Sequence, residues 1–129
     1  MKMIYCISAL LLFGCANATI TSQEAARANF GTLRENWQTI VRGYYSMPGQ
    51  LKDPYSAVYR FEKPRKGFAQ DGALAGGKRH YGWIMPTWIN AKNSFRGFTG
   101  YELHIAFLSN DGVSDITFAF NNGMAGFAQ

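Results

Sequence analysis

The chain has 129 residues and carries 13 Lys and Arg against 8 Asp and Glu, a formal net charge of +5. This length is typical of one domain, and a hydrophobic fraction of 47% with 16% aromatic residues excludes a disordered chain. The two cysteines and two histidines exclude a disulfide scaffold and disfavour a closed zinc site. The composition therefore predicts a small, basic, aromatic-rich globular domain.

The start of the chain has the features of an export signal. Lys2 is followed by the uncharged apolar run 4–13, which is shorter than the roughly 20 residues that a bilayer span needs. The sequence Leu-Phe-Gly-Cys at 12–15 then resembles a bacterial lipobox. This resemblance implies a signal peptide over 1–14, cleavage before Cys15 and modification of Cys15 with lipid, palmitate included.

Two other interpretations of this segment remain open. Ala16-Asn17-Ala18 is an A-x-A site, so cleavage after Ala18 would release a periplasmic or secreted soluble domain. The segment would otherwise be a buried N-terminal helix with incidental cysteines. We prefer lipidation, and because Ala16 rather than Asp follows Cys15, the similarity to bacterial lipoproteins implies an outer-membrane destination.

The predicted anchor indicates the classes of partner. Lipid on Cys15 attaches the protein to the membrane, since two or more acyl chains hold firmly where one does not. Loss of Lys2 with the signal lowers the net charge from +5 to +4. That charge favours anionic lipid or an acidic protein face, with ordinary solubilising charge as an equal alternative. Export to the envelope argues against nucleic acid as a partner.

The mature chain is predicted to begin with one long helix. Thr21 and Glu24 form a capping-box pattern. Apolar residues then recur at steps of three and four, which places a single stripe on a helix from about Ser22 to Arg42. The residues of this stripe are Ala26, Phe30, Leu33, Trp37, Ile40 and Tyr44. Gly43 is predicted as the C-terminal cap and Pro48-Gly49 as a definite stop.

The remaining chain reads as strands joined by turns. Asp53-Pro54 opens one short helical turn, and alternation predicts strands at 58–61, 81–90 and 101–107. Pro86 cannot donate to a ladder, so we expect its strand to lie at an edge or to carry a bulge.

Loops and a hairpin complete the predicted order. The small residues and Pro64 of the segment 63–77 predict a loop. Asp-Gly within 109–112 predicts a hairpin turn, which a strand over 113–120 completes.

The predicted fold class is α+β, with one long N-terminal helix packed on a three- to four-stranded antiparallel sheet in two layers. We expect a lipidated tether over 15–21, a single domain over 22–120 and a flexible tail over 121–129.

Two segments resemble a small domain of uncharacterised bacterial envelope and phage-associated lipoproteins. They are LKDPYSAVYRF at 51–61 and NAKNSFRGFTG at 90–100. In that domain the first segment follows a helix, and the second joins two strands and has Gly where this chain has Arg96. The resemblance covers roughly residues 50–110. It implies a fold and an envelope location, and it carries no established activity.

The second segment, residues 90–100, has two interpretations. Asn90, Asn93 and the glycines suit a wide connection between strands, with the phenylalanines packed on the sheet. The functional interpretation makes the segment a binding tip with charged contacts and an exposed aromatic anchor. The candidate binding residues are Lys92, Asn93, Phe95, Arg96 and Phe98.

A basic cluster flanks the predicted loop 63–77. Its candidate binding residues are Arg65, Lys66, Lys78 and Arg79. These residues are either an ordinary solvated face or a docking patch for an anionic partner.

The sequence has few catalytic options. Ser94, His104 and Asp115 supply the residue types of a hydrolytic triad, but no G-x-S-x-G elbow accompanies them. A glycosidase would need two placed carboxylates. Glu102 and Asp115 fall on neighbouring predicted strands and could form such a pair, but exposed carboxylates are common on strands. No nucleotide-binding fingerprint occurs. We therefore predict no enzymatic activity, no cofactor and no metal.

The favoured function is a lipid-anchored, non-catalytic interaction module that binds another protein of the bacterial envelope. The phage association of similar domains raises a phage- or plasmid-borne exclusion or immunity lipoprotein as an alternative. A secreted soluble domain or a cell-wall hydrolase is the remaining alternative.

Overall fold

The computed structural model describes residues 17–128, which form a six-stranded antiparallel sheet with three short helices. The strands are β1 Val58–Phe61, β2 Arg65–Gln70, β3 Arg79–Asn90, β4 Glu102–Ser109, β5 Gly112–Asp115 and β6 Ala125–Phe127. The helices are α1 Ser22–Arg27, α2 Trp37–Tyr45 and α3 Thr117–Asn121, with 3₁₀ turns at Pro54–Ser56 and Ala73–Ala75. The predicted signal peptide and Cys15 lie outside the described residues.

The sheet is organised around β3. The strand order is β5-β4-β3-β2-β6, and β1 pairs with β3 alone. Because β2 pairs with residues 79–84 of β3 and β1 with residues 87–90, these two strands lie end to end on one side of β3. β4 runs along its other side. The long strand β3 is therefore central to the sheet.

Pro86 lies inside this central strand, so the prediction of an edge position is wrong. The predicted alternative of a bulge agrees with the register, because the three residues 62–64 face the two residues 85 and 86. In an antiparallel ladder the N–H and C=O of one residue point to the same neighbouring strand. The carbonyl of Pro86 accepts a 3.0 Å bond from the N–H of Glu62, which lies in the break between β1 and β2. The missing N–H of Pro86 faces the same break, and the proline therefore removes no ladder bond.

The predicted fold class, one long N-terminal helix on a three- to four-stranded sheet, is wrong in both the helix and the number of strands. α1 has six residues and α2 has nine, and the chain between them is not helical. Asn29 Oδ1 accepts the N–H of Gly31 at 3.0 Å, and Gly31 has a φ of +71°. α1 has already ended at Ala28, whose backbone is extended. The Asn29 bond and the left-handed Gly31 follow this end and are incompatible with a continuous helix into α2. Gly43 lies within α2 and is not its cap.

α2 packs on one face of the sheet. Val41 and Tyr45 of α2 are 0% and 1% exposed. They contact the first core cluster, which is completed by Met85, Ile89, Ala106 and Leu108. The apolar periodicity that predicts a helix is therefore correct for α2, although the buried positions differ from those of the predicted stripe.

β2 and β6 are strands that the sequence pattern does not predict. β2 lies in the segment expected to be a loop, and β6 lies in the segment expected to be a flexible tail. They pair with each other as well as with the sheet. Gly67 of β2 is required there, because a Cβ would lie 2.3 Å from Ile84 and 2.7 Å from the carbonyl oxygen of Gly126. Tertiary pairing therefore overrides the weak strand propensity of this segment.

The other face of the sheet packs against α3. Ile116, just before α3, and Ala125 of β6 join buried residues of β2, β3 and β4 in a second core cluster. The strand predicted over 113–120 is therefore only partly correct, since β5 ends at Asp115. Asp115 Oδ1 accepts the N–H of Thr117 at 2.9 Å, which turns the chain into α3.

Several predicted elements are confirmed. The strands at 58–61, 81–90 and 101–107 correspond to β1, β3 and β4. Asp53 accepts the N–H of Ser56 and caps the predicted turn. The chain also reverses at 109–112.

The two ends of the sheet differ. At one end, Asn17 contacts Gly123, and the N–H of Ala18 donates to the carbonyl of Gly123 at 2.7 Å. We name it the anchor end, because Asn17 follows the predicted lipidation position by two residues. β3 begins at this end, because Arg79 pairs with Gln70, whose N–H bonds the neighbouring Met124. The opposite end, here the motif end, lies a strand length away, about 36 Å at 3.3 Å per residue. No helix of the described residues is long and apolar enough to span a bilayer.

Candidate functional site

Both sequence motifs lie side by side at the motif end. Val58 of the first motif pairs with Asn90 of the second across β1 and β3. The hydroxyl of Ser56 accepts the backbone N–H of Lys92 at 2.9 Å, and Lys52 Nζ donates to Ser94 Oγ at 3.3 Å. The two motifs therefore form one structural unit.

The second motif forms a compact loop between β3 and β4, here the motif loop (91–101). Asn93 holds it together, since its Oδ1 accepts the N–H groups of Phe95 and Gly97 at 2.9 and 3.2 Å. Its backbone N–H also donates to the carbonyl of Gly97. Arg96 has a φ of +62°. Among residues 17–128 it is the one residue other than glycine with a left-handed backbone. This left-handed conformation is one that glycine adopts at no steric cost.

The motif loop carries exposed aromatic rings. Phe95 is 92% exposed and Phe98 is 52% exposed. Phe95 therefore does not fasten the loop to the sheet, contrary to the packing interpretation. The Nζ of Lys92 lies 5.5 Å from the centre of the Phe98 ring, which places a cation beside an aromatic surface.

Beside the loop, one face of the sheet is uncovered at this end. Arg60, Trp88 and Leu103 form a row across β1, β3 and β4, and Val58 and Tyr101 adjoin it. We call these five residues the apolar sheet patch. Its four apolar side chains, Val58, Trp88, Tyr101 and Leu103, are each at least 36% exposed. The guanidinium of Arg60 lies 4.9 Å from the centre of the Tyr101 ring.

On the opposite face, a cleft of about 340 Å³ separates the motif loop from the chain that follows α2. We call it the motif cleft. Its charged and titratable lining residues are Lys52, Lys92, Glu102 and His104. Its other lining residues are Gln50, Leu51, Ile89, Ala91, Asn93 and Thr99.

A hydrogen-bonded network lies behind His104. His104 Nδ1 is 3.4 Å from Asp115 Oδ2, and the hydroxyl of Tyr45 donates to the same oxygen at 2.7 Å. Burial acts to raise the pKa of Asp115. Hydrogen bonds from His104 and Tyr45, with further ones from Thr117, outweigh burial and lower this pKa to about 2. Burial and the Asp115 carboxylate raise the pKa of Tyr45 far above its usual value.

The structure brings together two of the three residue types of a triad. His104 and Asp115 are paired, whereas the hydroxyl of Ser94 bonds Lys52. Within residues 17–128 no hydrogen bond joins Ser94 to His104. Glu102 and Asp115 lie on either side of the His104 ring, at 3.9 and 3.4 Å from its two nitrogens. These carboxylates contact the imidazole between them and do not face each other across an open cleft.

The basic residues Arg65, Lys66, Lys78 and Arg79 do not form one patch. Consecutive strand residues point to opposite faces, so Arg65 lies 3.9 Å from the Phe127 ring and Lys66 lies near Trp83. Arg79 is bonded to Glu24 at 2.8 Å. The structure therefore divides this cluster into separate local contacts.

A second titratable group lies at the anchor end. His80 Nε2 is 3.1 Å from both carboxylate oxygens of Asp71, and its Nδ1 is 3.9 Å from Asp111. These residues line a cleft of about 280 Å³. Among residues 17–128, no group of three or more His, Cys, Asp or Glu side chains is arranged to hold a metal ion.

Sequence reasoning identified the motif loop but missed the cleft and the apolar sheet patch. The cleft unites Lys52 with His104, which are distant in the chain. The available signal was the predicted antiparallel order of the strands around the two motifs, which brings 51–61 beside 90–100.

Comparison of the chain with protein-family models, with curated proteins and with solved structures found no match. The resemblance to envelope lipoproteins therefore stays a prediction from the two motifs.

Proposed function

We propose that this protein is a lipid-anchored interaction module of the bacterial envelope and binds an acidic protein partner through the motif end. The observation that carries the proposal is the convergence of both motifs, with exposed aromatic and cationic side chains, at the sheet end opposite the N-terminal segment. The anchor and the partner are separate parts of this proposal and are tested separately.

The position of the N-terminal segment supports an outward-facing motif end. Asn17 is two residues beyond Cys15 and contacts Gly123 at the anchor end. Two residues extend at most about 7 Å, whereas β3 separates the two ends by about 36 Å. A lipid on Cys15 thus holds the anchor end near the membrane. The motif end then lies away from the lipid surface, within reach of another protein.

The exposed side chains are of the types that dominate protein interfaces. Aromatic residues and arginine are enriched at interface centres, where burial removes water from large apolar surfaces. Phe95, Phe98 and Trp88 present such surfaces at the motif end. Burying one large apolar side chain contributes about 1.5–3 kcal/mol before the cost of association is subtracted, so these rings fit the role of interface anchors.

The charges at the motif end favour an acidic partner. Arg60, Lys92 and Arg96 form no ion pair with a carboxylate among the described residues. Their positive charges lie beside aromatic rings in two cases, Arg60 on Tyr101 and Lys92 on Phe98. A partner carboxylate would supply the missing counter-charge and raise the rate of association.

Site-specific photo-cross-linking in intact cells tests the partner. A photoreactive phenylalanine analogue is placed at Phe95 or Phe98, and at Leu74 as the control. Leu74 is fully exposed in the turn Ala73–Ala75 at the anchor end. We expect one cross-linked protein from the two motif-loop positions and none of it from Leu74. Arg96→Glu should reduce its yield at least fivefold.

Identical products at all three positions, or no product from the motif loop, would overturn the partner proposal.

The anchor is tested by the intact mass of the mature protein purified from membranes. An N-terminal Cys15 carrying acyl chains supports it. A mature chain that begins at Thr19 would overturn the anchor and would leave the partner proposal standing.

A further inference from the structure

We infer that the motif cleft binds a single carboxylate group carried by a short aliphatic segment, as at the C-terminus of a peptide. This site goes beyond the proposed function, because it concerns the cleft on the helix-covered face, and it shares Lys92 alone with the charged side chains assigned to the partner surface.

Two lysines from different motifs provide the positive charge. Lys52 from the first motif and Lys92 from the second line the same cleft. Lys52 Nζ bonds the neutral hydroxyl of Ser94, and no carboxylate pairs with either lysine among residues 17–128. The two ammonium groups are therefore available to an anion.

The charge balance of the cleft selects a monoanion. Glu102 is the carboxylate that lines it, and its Oε2 lies 3.9 Å from His104 Nε2. Two ammonium groups against one carboxylate leave one excess positive charge. A carboxylate matches this excess, whereas Glu102 would repel the second charge of a phosphate dianion.

The remaining lining residues fit the group that carries the carboxylate. Leu51, Ile89 and Ala91 provide an apolar surface. Asn93 uses its Oδ1 within the loop, which leaves its amide nitrogen as a donor. A volume of about 340 Å³ is at the small end of ligand sites and matches one or two small residues.

Histidine NMR of the full chain in detergent micelles tests this inference. The protein has two histidines, His104 in the cleft and His80 at the anchor end, so one spectrum contains the probe and its internal control. The ligands are N-acetyl-alanyl-alanine, the same dipeptide with a C-terminal amide, and inorganic phosphate. We expect the free acid to shift the His104 signal saturably and to leave His80 unchanged. The amide and phosphate should produce less than one tenth of that shift.

Lysine variants locate the binding groups. Lys52→Gln and Lys92→Gln should each weaken binding of the acid about tenfold, as expected for loss of one charge-assisted bond. Lys78→Gln is the matched control, since Lys78 lies at the anchor end, away from the cleft. An unshifted His80 signal confirms that each variant is folded.

Three results would overturn the carboxylate site. They are a His104 signal that does not saturate with the acid, equal shifts from the acid and the amide, and stronger binding of phosphate than of the acid. Unchanged affinity in both lysine variants would also overturn it. None of these results depends on the cross-linking outcome, so this inference and the proposed function fail independently.

Discussion

The hydroxyl of Tyr45 donates a 2.7 Å hydrogen bond to the carboxylate of Asp115, 70 residues further along the chain. This bond joins α2 to the end of β5 and is supported by a bond from the N–H of Asp115 to the hydroxyl of Tyr44. Tyr45 is 1% exposed, so the bond lies at the edge of the core. It positions Asp115 against His104 and thereby forms the rear of the motif cleft.

The lowered pKa of Asp115 predicts a specific loss of stability in acid. An acidic group whose pKa is depressed by folding stabilises the protein above its unfolded pKa, near 3.8, and this contribution is lost as the pH falls towards 2. The shift corresponds to about 2 kcal/mol. We expect the free energy of unfolding to fall by that much more in the parent protein than in Asp115→Asn between pH 5 and pH 2.

Urea unfolding followed by tryptophan fluorescence measures this difference. Tyr45→Phe should lower the stability at neutral pH by about 1–2 kcal/mol and raise the pKa of Asp115, because one bond to the carboxylate is removed. Parallel pH curves for the parent protein and Asp115→Asn would contradict the prediction.

Close packing between β3 and β4 predicts that Gly82 tolerates no side chain. A Cβ there would lie 2.3 Å from the carbonyl oxygen of Leu108, a backbone atom that cannot move without disturbing the ladder. We expect Gly82→Ala to lower the free energy of unfolding by about 3 kcal/mol, the upper part of the range for overpacking.

Gly43→Ala is the matched control for this substitution. Gly43 lies in the interior of α2, and a Cβ added there would have no atom within 4 Å. Alanine should therefore stabilise the protein by up to about 1 kcal/mol through helix propensity. Equal effects of the two substitutions on the urea midpoint would refute the proposed packing of β3 on β4.

The parts of the fold that follow from sequence are those with a local pattern. The alternating residues of β1 and β4, and the Asp53 cap, determine their conformation within a few positions. β2 has no such pattern. Its Gly67 is required by the close approach of Ile84 and of Gly126 in β6, and that requirement arises only after the sheet assembles. The predicted N-terminal helix is too long because the apolar periodicity does not register the break at 28–31, where Ala28 is extended and Gly31 has a left-handed backbone.

The same distinction applies to the candidate site. The motif loop is contiguous, so its Asn, Gly and Phe residues are informative in the sequence alone. The motif cleft depends on Lys52 and His104 meeting across the sheet, and the pairing of His104 with Asp115 depends on α3 starting directly after β5. Neither relationship has a local sequence signal.

The left-handed backbone of Arg96 predicts a stabilising substitution. A residue with a Cβ is disfavoured by about 1 kcal/mol at a φ of +62°, and glycine avoids this penalty. We expect Arg96→Gly to raise the free energy of unfolding by about 1 kcal/mol. Arg96→Ala removes the same charge and keeps the Cβ, so it should give no such gain. Equal stability of the two variants in urea unfolding would show that the strain is absent.

The contact of α1 with β3 predicts that one carboxylate holds the N-terminal segment on the sheet. Glu24 accepts bonds from Arg79 at 2.8 and 2.9 Å and from the hydroxyl of Tyr81 at 2.5 Å. The bond from Tyr81, followed by that from Arg79, lowers the pKa of Glu24. Glu24→Gln should therefore accelerate amide hydrogen exchange at Ala25 and Ala28, whose N–H groups bond within α1.

Glu35→Gln is the matched control for this prediction, because Glu35 is exposed and makes no ion pair within the described residues. It should leave exchange in α1 unchanged, and neither substitution should alter exchange in β3 and β4, which belong to the core. The same release should appear in the parent protein as the pH falls below the usual carboxyl pKa, since protonation removes the charge that Arg79 pairs with. Unchanged exchange at Ala25 in Glu24→Gln would mean that α1 is held by apolar packing alone. The N-terminal segment would then owe its fixed position at the anchor end to contacts such as Phe30 on Tyr81.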